Sequence, residues 1–339
     1  MKNIVKQSLL LSIIPIYLSL YGCNRDDLDT AQNFGLMSAS FQDATSNLSN
    51  DIYNSCIRKI KFYPLDTPKA RKLQTDEINN CETYNSPAAK KTQIATQVIS
   101  DYMIAIGTLA SQDAVNFNKS LNEIKDALSN LKIPSSQDNS TTLNSSDIQA
   151  GINIVGLLLN WDKQVYQREN LKKAIVCTDE PFQQYSNSLV KIFQDGYING
   201  ILKLEQERIT GYYGDYAAQL IDQKGSLNER MDIEQKYSSA LDSVLAKRDA
   251  ALSYIAVIKK TATAHGQLKA IFSKGDSSTP SEEVKARCQE YFTPKSQGVV
   301  SQYSENFQLS SKERKRVTEI VLQYAQEVNP LLQKINRAF

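Results

Sequence analysis

A single histidine, His265, is the natural place to look for proton chemistry, because imidazole exchanges protons near neutral pH. Any Ser-His-Asp device would have to use it. No GxSxG elbow is present, and His265 falls three residues after Ala262 and three before Leu268, on the edge of an apolar helical stripe. A packing or surface role is therefore expected. The HExxH, Walker and dinucleotide-binding fingerprints are absent too. The 37 carboxylates lie scattered along amphipathic segments, where chance proximity is unavoidable, so no pair stands out as acid and base. The residues name no catalytic group and imply no cofactor.

Sulfur is more informative. The stretch LSLYGCN, residues 18–24, ends an apolar run on Cys23, and the chain then turns polar in NRDDLD. Lys2 and Lys6 supply a basic start, and Leu9 to Leu20 forms an apolar segment of about 12 residues, suited to an export signal and too short to span a bilayer. Leu20, Tyr21, Gly22 and Cys23 resemble the lipobox of bacterial lipoproteins. That resemblance covers residues 1–23 only. It implies a signal peptide over 1–22, a mature N-terminus at Cys23 carrying acyl chains on a thioether, and a short tether over 23–28. Each buried methylene adds about 0.8 kcal/mol, so two or three chains hold a protein stably at a membrane. The implied address is the bacterial cell envelope. Where two membranes exist, Asn24 lacks the aspartate of an inner-membrane retention signal, and the outer membrane facing the periplasm is expected.

Without Lys2 and Lys6 the 39 basic residues fall to 37, matching the acids. A neutral chain with interspersed signs offers no basic stripe for phosphates, so nucleic acid is not an expected partner. Cys56, Cys81, Cys177 and Cys288 remain, an even number suited to two disulfides in an exported protein. Their spacing lacks the paired CxxC clusters of a zinc site, and no metal is expected.

These residues have to be positioned by helices. Phe34, Met37, Phe41, Leu48, Ile52 and Cys56 recur at helical spacing and predict a first helix over 29–61, ended by Pro64 and Pro68. After a polar loop, Ile94 to Leu109 marks a second helix that Leu121 to Leu131 prolongs, with a kink at 111–113. The serine- and asparagine-rich stretch 134–147 reads as a flexible loop. A third helix is expected from 147 to Cys177, a break at TDEP (178–181), and a fourth helix to about 222. Ser226 and Glu229 form a capping box that starts a fifth, running to about 273. A last helix follows Thr279-Pro280, interrupted near Pro294 and Pro330. No alternating stretch argues for a sheet. The expected fold is all-α: one elongated bundle of about six long, mostly antiparallel helices over 29–339.

Tracing those rods away from the anchor carries all four cysteines to one distal end, where Cys56 pairs with Cys81 and Cys177 with Cys288. Tyr185, Tyr197, Tyr212, Tyr213 and Tyr216 give the fourth helix its aromatic weight. Tyr212 and Tyr216, at i,i+4, are the candidate contacts for a partner protein or a sugar, whereas Gly196 and Gly200 suggest a close helix crossing. Ile154 to Leu159, within IQAGINIVGLLLNW, is apolar on every side and belongs in the bundle centre. The expected function is a lipid-anchored binding or spacing module with an envelope protein or cell-wall component as partner. Two rivals are a membrane-inserting assembly subunit, by architectural analogy with helical pore-forming toxins of the cytolysin A type, and an enzyme of another kind.

Overall fold

The computed structural model describes residues 32, 34, 35, 37–63, 68–111, 121–134, 140–159, 167–273, 288, 289, 292 and 309–339. The export segment, Cys23 and the expected breaks at 279–280 and 294 lie outside them. The described chain is all-α apart from one short ribbon. Helix α1 covers Ser38–Ile60, α2 Pro68–Asn80, α3 Ser86–Ser111, α4 Leu121–Ser129, α5 Ser145–Leu159, α6 Gln167–Lys191, α7 Lys203–Asp222, α8 Leu227–Phe272 and α9 Ser311–Arg337.

Two joints are π-helical and continuous with their neighbours. Cys81–Asn85 links α2 to α3, and Ile192–Leu202 links α6 to α7. In the first the Ser86 N–H reaches back to the Cys81 carbonyl, and Pro87, which has no N–H, follows at once. The expected polar loop before Ile94 is therefore helix from Pro68 on. Pro68 opens it at a position where its missing N–H costs nothing, and α2 buries no residue, so apolar periodicity could not reveal it.

The expected break at 178–181 does not occur either. Helix α6 runs through Pro181, with Phe182 and Tyr185 packed in the core directly after it. Tertiary packing outweighs one lost backbone bond. Pro330 likewise sits inside α9 on its exposed side, where solvent can reach the freed carbonyl. The expected capping box at Ser226/Glu229 is formed, and a second at Ser310/Glu313 starts α9.

Contacts along the rods set their directions. Gly35 meets Gly107 so closely that a Cβ on Gly35 would come within 2.8 Å of the Gly107 Cα, while Asn85 lies beside Ile52, so α1 and α3 are antiparallel. Tyr102 reaches Ala174 and Tyr185 donates to the Ala95 carbonyl at 2.7 Å, which makes α6 antiparallel to α3. Thr45 bonds Tyr254 at 2.6 Å, and Lys260 pairs with Glu327 while Lys334 pairs with Asp249. Helix α8 thus runs against α1, and α9 against α8. At 46 residues, α8 is about 69 Å long.

The stretch expected as a flexible loop over 134–147 is structured at its described residues, Pro134 and 140–147. Lys132–Pro134 (β1) and Ser140–Thr142 (β2) pair antiparallel, and Ile133 is fully buried. Gly196 makes its close approach to that strand rather than to a helix: a Cβ there would meet Ile133 at 3.0 Å. Ile154, Leu157 and Leu158 are buried in the main core, and no described helix is long and apolar enough to cross a membrane. Leu157→Asp is expected to destabilise the fold by several kcal/mol, since the new carboxylate would be buried without a partner. Equilibrium denaturation checks this; an unchanged midpoint together with altered liposome leakage would point to lipid instead.

Candidate functional site

The described residues hold three constellations of polar or aromatic groups. The first surrounds His265, which is 1% exposed and stacks on Phe182 with ring centroids 4.6 Å apart. Its Nδ1 lies 3.0 Å from Asp179 Oδ1, and its Nε2 lies 2.7 Å from the Tyr102 hydroxyl. Burial pushes the Asp179 carboxyl up, but the hydrogen bond and charge of His265, the Gln183 amide and Lys269 outweigh it and leave the group below the usual carboxylate range. Burial raises the Tyr102 phenol. Carboxylate, imidazole and hydroxyl stand in the order of a proton relay. Tyr102 is nevertheless fully buried, so no substrate can meet it in this conformation. The expected packing role for His265 describes what is seen.

The second constellation went unforeseen. Arg58 donates through Nη1 and Nη2 to both oxygens of Asp51, at 2.6 and 2.9 Å, and through Nε and Nη2 to those of Glu205, at 2.7 and 2.9 Å. Ser55 donates to Glu205 at 2.5 Å and Tyr197 to Asp51 at 2.6 Å. Both carboxylates are 2% exposed. Burial opposes the charge on Arg58, yet the two carboxylates more than compensate and hold its pKa above the ordinary value. Asp51, Ser55 and Arg58, at i, i+4 and i+7 on one face of α1, were the available signal. The network locks α1 to α7 and to the second π segment.

The third is exposed. Tyr212 and Tyr216 lie nearly parallel, 10° apart with centroids at 6.4 Å, as their spacing predicts. Phe62 joins them at 5.8 Å from Tyr212, Tyr213 bridges to Tyr237 at 5.7 Å, and the Arg208 guanidinium lies 4.1 Å over the Tyr63 ring. Tyr216 is 47% exposed. Tyr185 and Tyr197, by contrast, are wholly buried. Beyond this collar α7 and α8 continue, alone among the described residues, as a hairpin of about 18 Å, counted from Tyr213 to the turn at Gly225. Between residues 214 and 236 only Ile233 is buried. Ile221, Leu227 and Met231 stand exposed at its end.

The structure joins Cys56 to Cys81 and Cys177 to Cys288, with Cα atoms 5.8 and 5.2 Å apart, the same two pairs that the trace of the rods suggests. The location differs. Cys56–Cys81 lies toward the collar, whereas Cys177 is beside the His265 network, near the end at which α1 begins. Because α6 passes unbroken through 178–181, Cys177 falls near the start of its rod instead of at the far end of a separate helix. The bridges staple opposite ends.

Among the described residues no group of histidine, cysteine and carboxylate side chains could hold a metal ion. No family model, curated protein or solved structure matches the chain.

Proposed function

We propose that this protein is a lipid-anchored lipoprotein of the bacterial cell envelope that presents a binding hairpin at the end of the bundle opposite its tether. The observation that carries this reading is the polarity of the rod. Among the described residues the first buried side chain is Phe34, which packs on Tyr324 next to the Gly35–Gly107 contact, and α1 runs from there toward Phe62 and the tyrosine collar. Phe34 and the collar are separated by about 40 Å of helix, and the hairpin adds about 18 Å more. A tether at Cys23 thus leaves Tyr212, Tyr216 and the apolar tip facing away from the anchoring membrane. Aromatic side chains ringed by polar groups suit a protein partner, because tyrosine supplies large contact area with few rotors to immobilise.

The placement of Ile154, Leu157 and Leu158 in the core supports a binding or spacing role over insertion of that segment into lipid. In the Tyr102–His265–Asp179 array each group satisfies another, which supports a packing role for His265. Outer-membrane attachment facing the periplasm follows the Asn24 argument where two membranes exist.

A two-part experiment tests the reading. Intact mass of the purified protein should show acyl chains on a chain beginning at Cys23, and Cys23→Ala should move it from the membrane to the soluble fraction. A photo-crosslinking residue at position 216 should then capture a discrete partner in intact cells, and one at the exposed position 315 of α9 should not. An acyl-free wild type would refute the anchor. Equal capture from both positions would refute the tip.

A further inference from the structure

The base of the hairpin carries two glycines that packing does not explain. At Gly35, Gly107, Gly151, Gly156 and Gly196 a Cβ would come within 3.0 Å of a neighbouring atom, so a larger residue would collide. At Gly211 and Gly214, inside α7, a Cβ would meet nothing within 4 Å. No steric demand calls for glycine there, and glycine is the weakest helix former apart from proline. Tyr213 meets Tyr237 across the hairpin, which sets the two glycines level with the stretch of α8 that holds Ser238 and Ser239. Pairs of glycine and serine are among the few recurrent causes of a sharp helix bend. Both helices are weakest at one level.

The surroundings divide there. On the bundle side, Ile209 and Val244 are buried in the main core, and the Arg208 guanidinium on Tyr63 and the Tyr212 ring on Phe62 hold α7 to the chain that leaves α1. On the tip side only Ile233 is buried, and among the described residues no ion pair or side-chain hydrogen bond crosses from α7 to α8; the Lys236–Asp232 pair lies within α8. The tip itself is firmly closed. Lys224 takes a positive φ of 55°, the Gly225 N–H donates to the Leu220 carbonyl at 2.8 Å, and the Ser226/Glu229 box caps the start of α8.

We infer that Gly211 and Gly214, with Ser238 and Ser239 opposite, form a hinge on which the hairpin swings as one body against a fixed bundle. The collar suits such a motion, because ring pairs stay favourable over centroid distances of about 4.5–7 Å and can give without a hydrogen bond breaking. On a lever of about 18 Å, a bend of about 30° carries the tip about 9 Å sideways. A stalk tethered at its other end, as proposed above, then offers Tyr216 and the tip to a partner over an arc. That consequence rests on the proposed function, whereas the hinge does not.

Pulsed electron-spin distance measurements on the full-length mature protein in detergent test the hinge, with nitroxides attached through a genetically encoded ketone side chain so that both disulfides stay intact. Positions 73, 227 and 245 are exposed. The 73–227 pair spans the hinge, and the 73–245 pair ends on its bundle side. In wild type the first pair should give the broader distance distribution. Gly211→Ala/Gly214→Ala should narrow it to the width of the second, with the fold retained because a Cβ has open space at both positions. Amides at 217–222 and 231–235 should exchange more slowly than in an unfolded chain, since a swinging helix keeps its hydrogen bonds. Equal widths for the two pairs in wild type, a 73–227 width that the glycine variant leaves unchanged, or exchange at the unfolded rate throughout the hairpin would overturn the inference. A failure of position 216 to capture a partner would leave these distances as they are, so the two readings fail separately.

Discussion

Arg58→Ala should cost about 3–5 kcal/mol of folding stability, the loss expected when one partner leaves a buried ionic cluster. The cost arises because Asp51 and Glu205, each 2% exposed, would keep their charges without a counter-ion. Ser55 and Tyr197 would still donate one hydrogen bond to each carboxylate, which softens the penalty without removing it. Denaturant melts of the variant against wild type check the cost. The triple variant Arg58→Met, Asp51→Asn, Glu205→Gln should recover most of the loss, since it removes every buried charge together and keeps acceptors for the two hydroxyls. A triple variant no better than Arg58→Ala would mean that the ions themselves, not their balance, hold α1 to α7.

This cluster also shows where the sequence stops being legible. The apolar stripe Phe41, Leu48, Ile52 announces α1 at once, and Ser226-Glu229 announces the start of α8, because periodicity and capping are local properties. Asp51 and Arg58 look like ordinary solvated charges until Glu205, 147 residues away from Arg58, is packed against them. Tyr212 and Tyr216 were legible as a pair from their spacing, but Phe62 and Tyr63 join the collar from another helix end. Helix α2 was missed for the converse reason, being polar on every side. Proline misled twice. Read locally, TDEP at 178–181 caps a new helix after a break and Pro330 interrupts the last one; in the fold, core contacts on both sides carry α6 and α9 through.

The unbroken α6 bears on the last expected result, which concerns the two disulfides. Loop-closure arguments assign about 3.5 kcal/mol to Cys56–Cys81 and about 5 kcal/mol to Cys177–Cys288, whose sequence separations are 25 and 111 residues. Had all four thiols met at one end, removing either bridge would loosen the same region. With the bridges at opposite ends, their effects should separate in space. Replacing Cys56 and Cys81 by alanine should speed amide exchange in α2 and the first π segment, where α2 buries no side chain and depends on the bridge and the Lys59–Glu77 pair for attachment. It should leave α6 near Cys177 protected. Replacing Cys177 and Cys288 should cost more in total stability, because the longer loop is set free, and should speed exchange at the start of α6 and the end of α8 around His265 while α2 stays as it was. The collar end would then remain ordered without the second bridge, since the Arg58 cluster sits there and closes the same helices by other means. Exchange that accelerates at both ends in either variant would show that the rod opens as one cooperative unit, and the two staples would then act only on the unfolded chain.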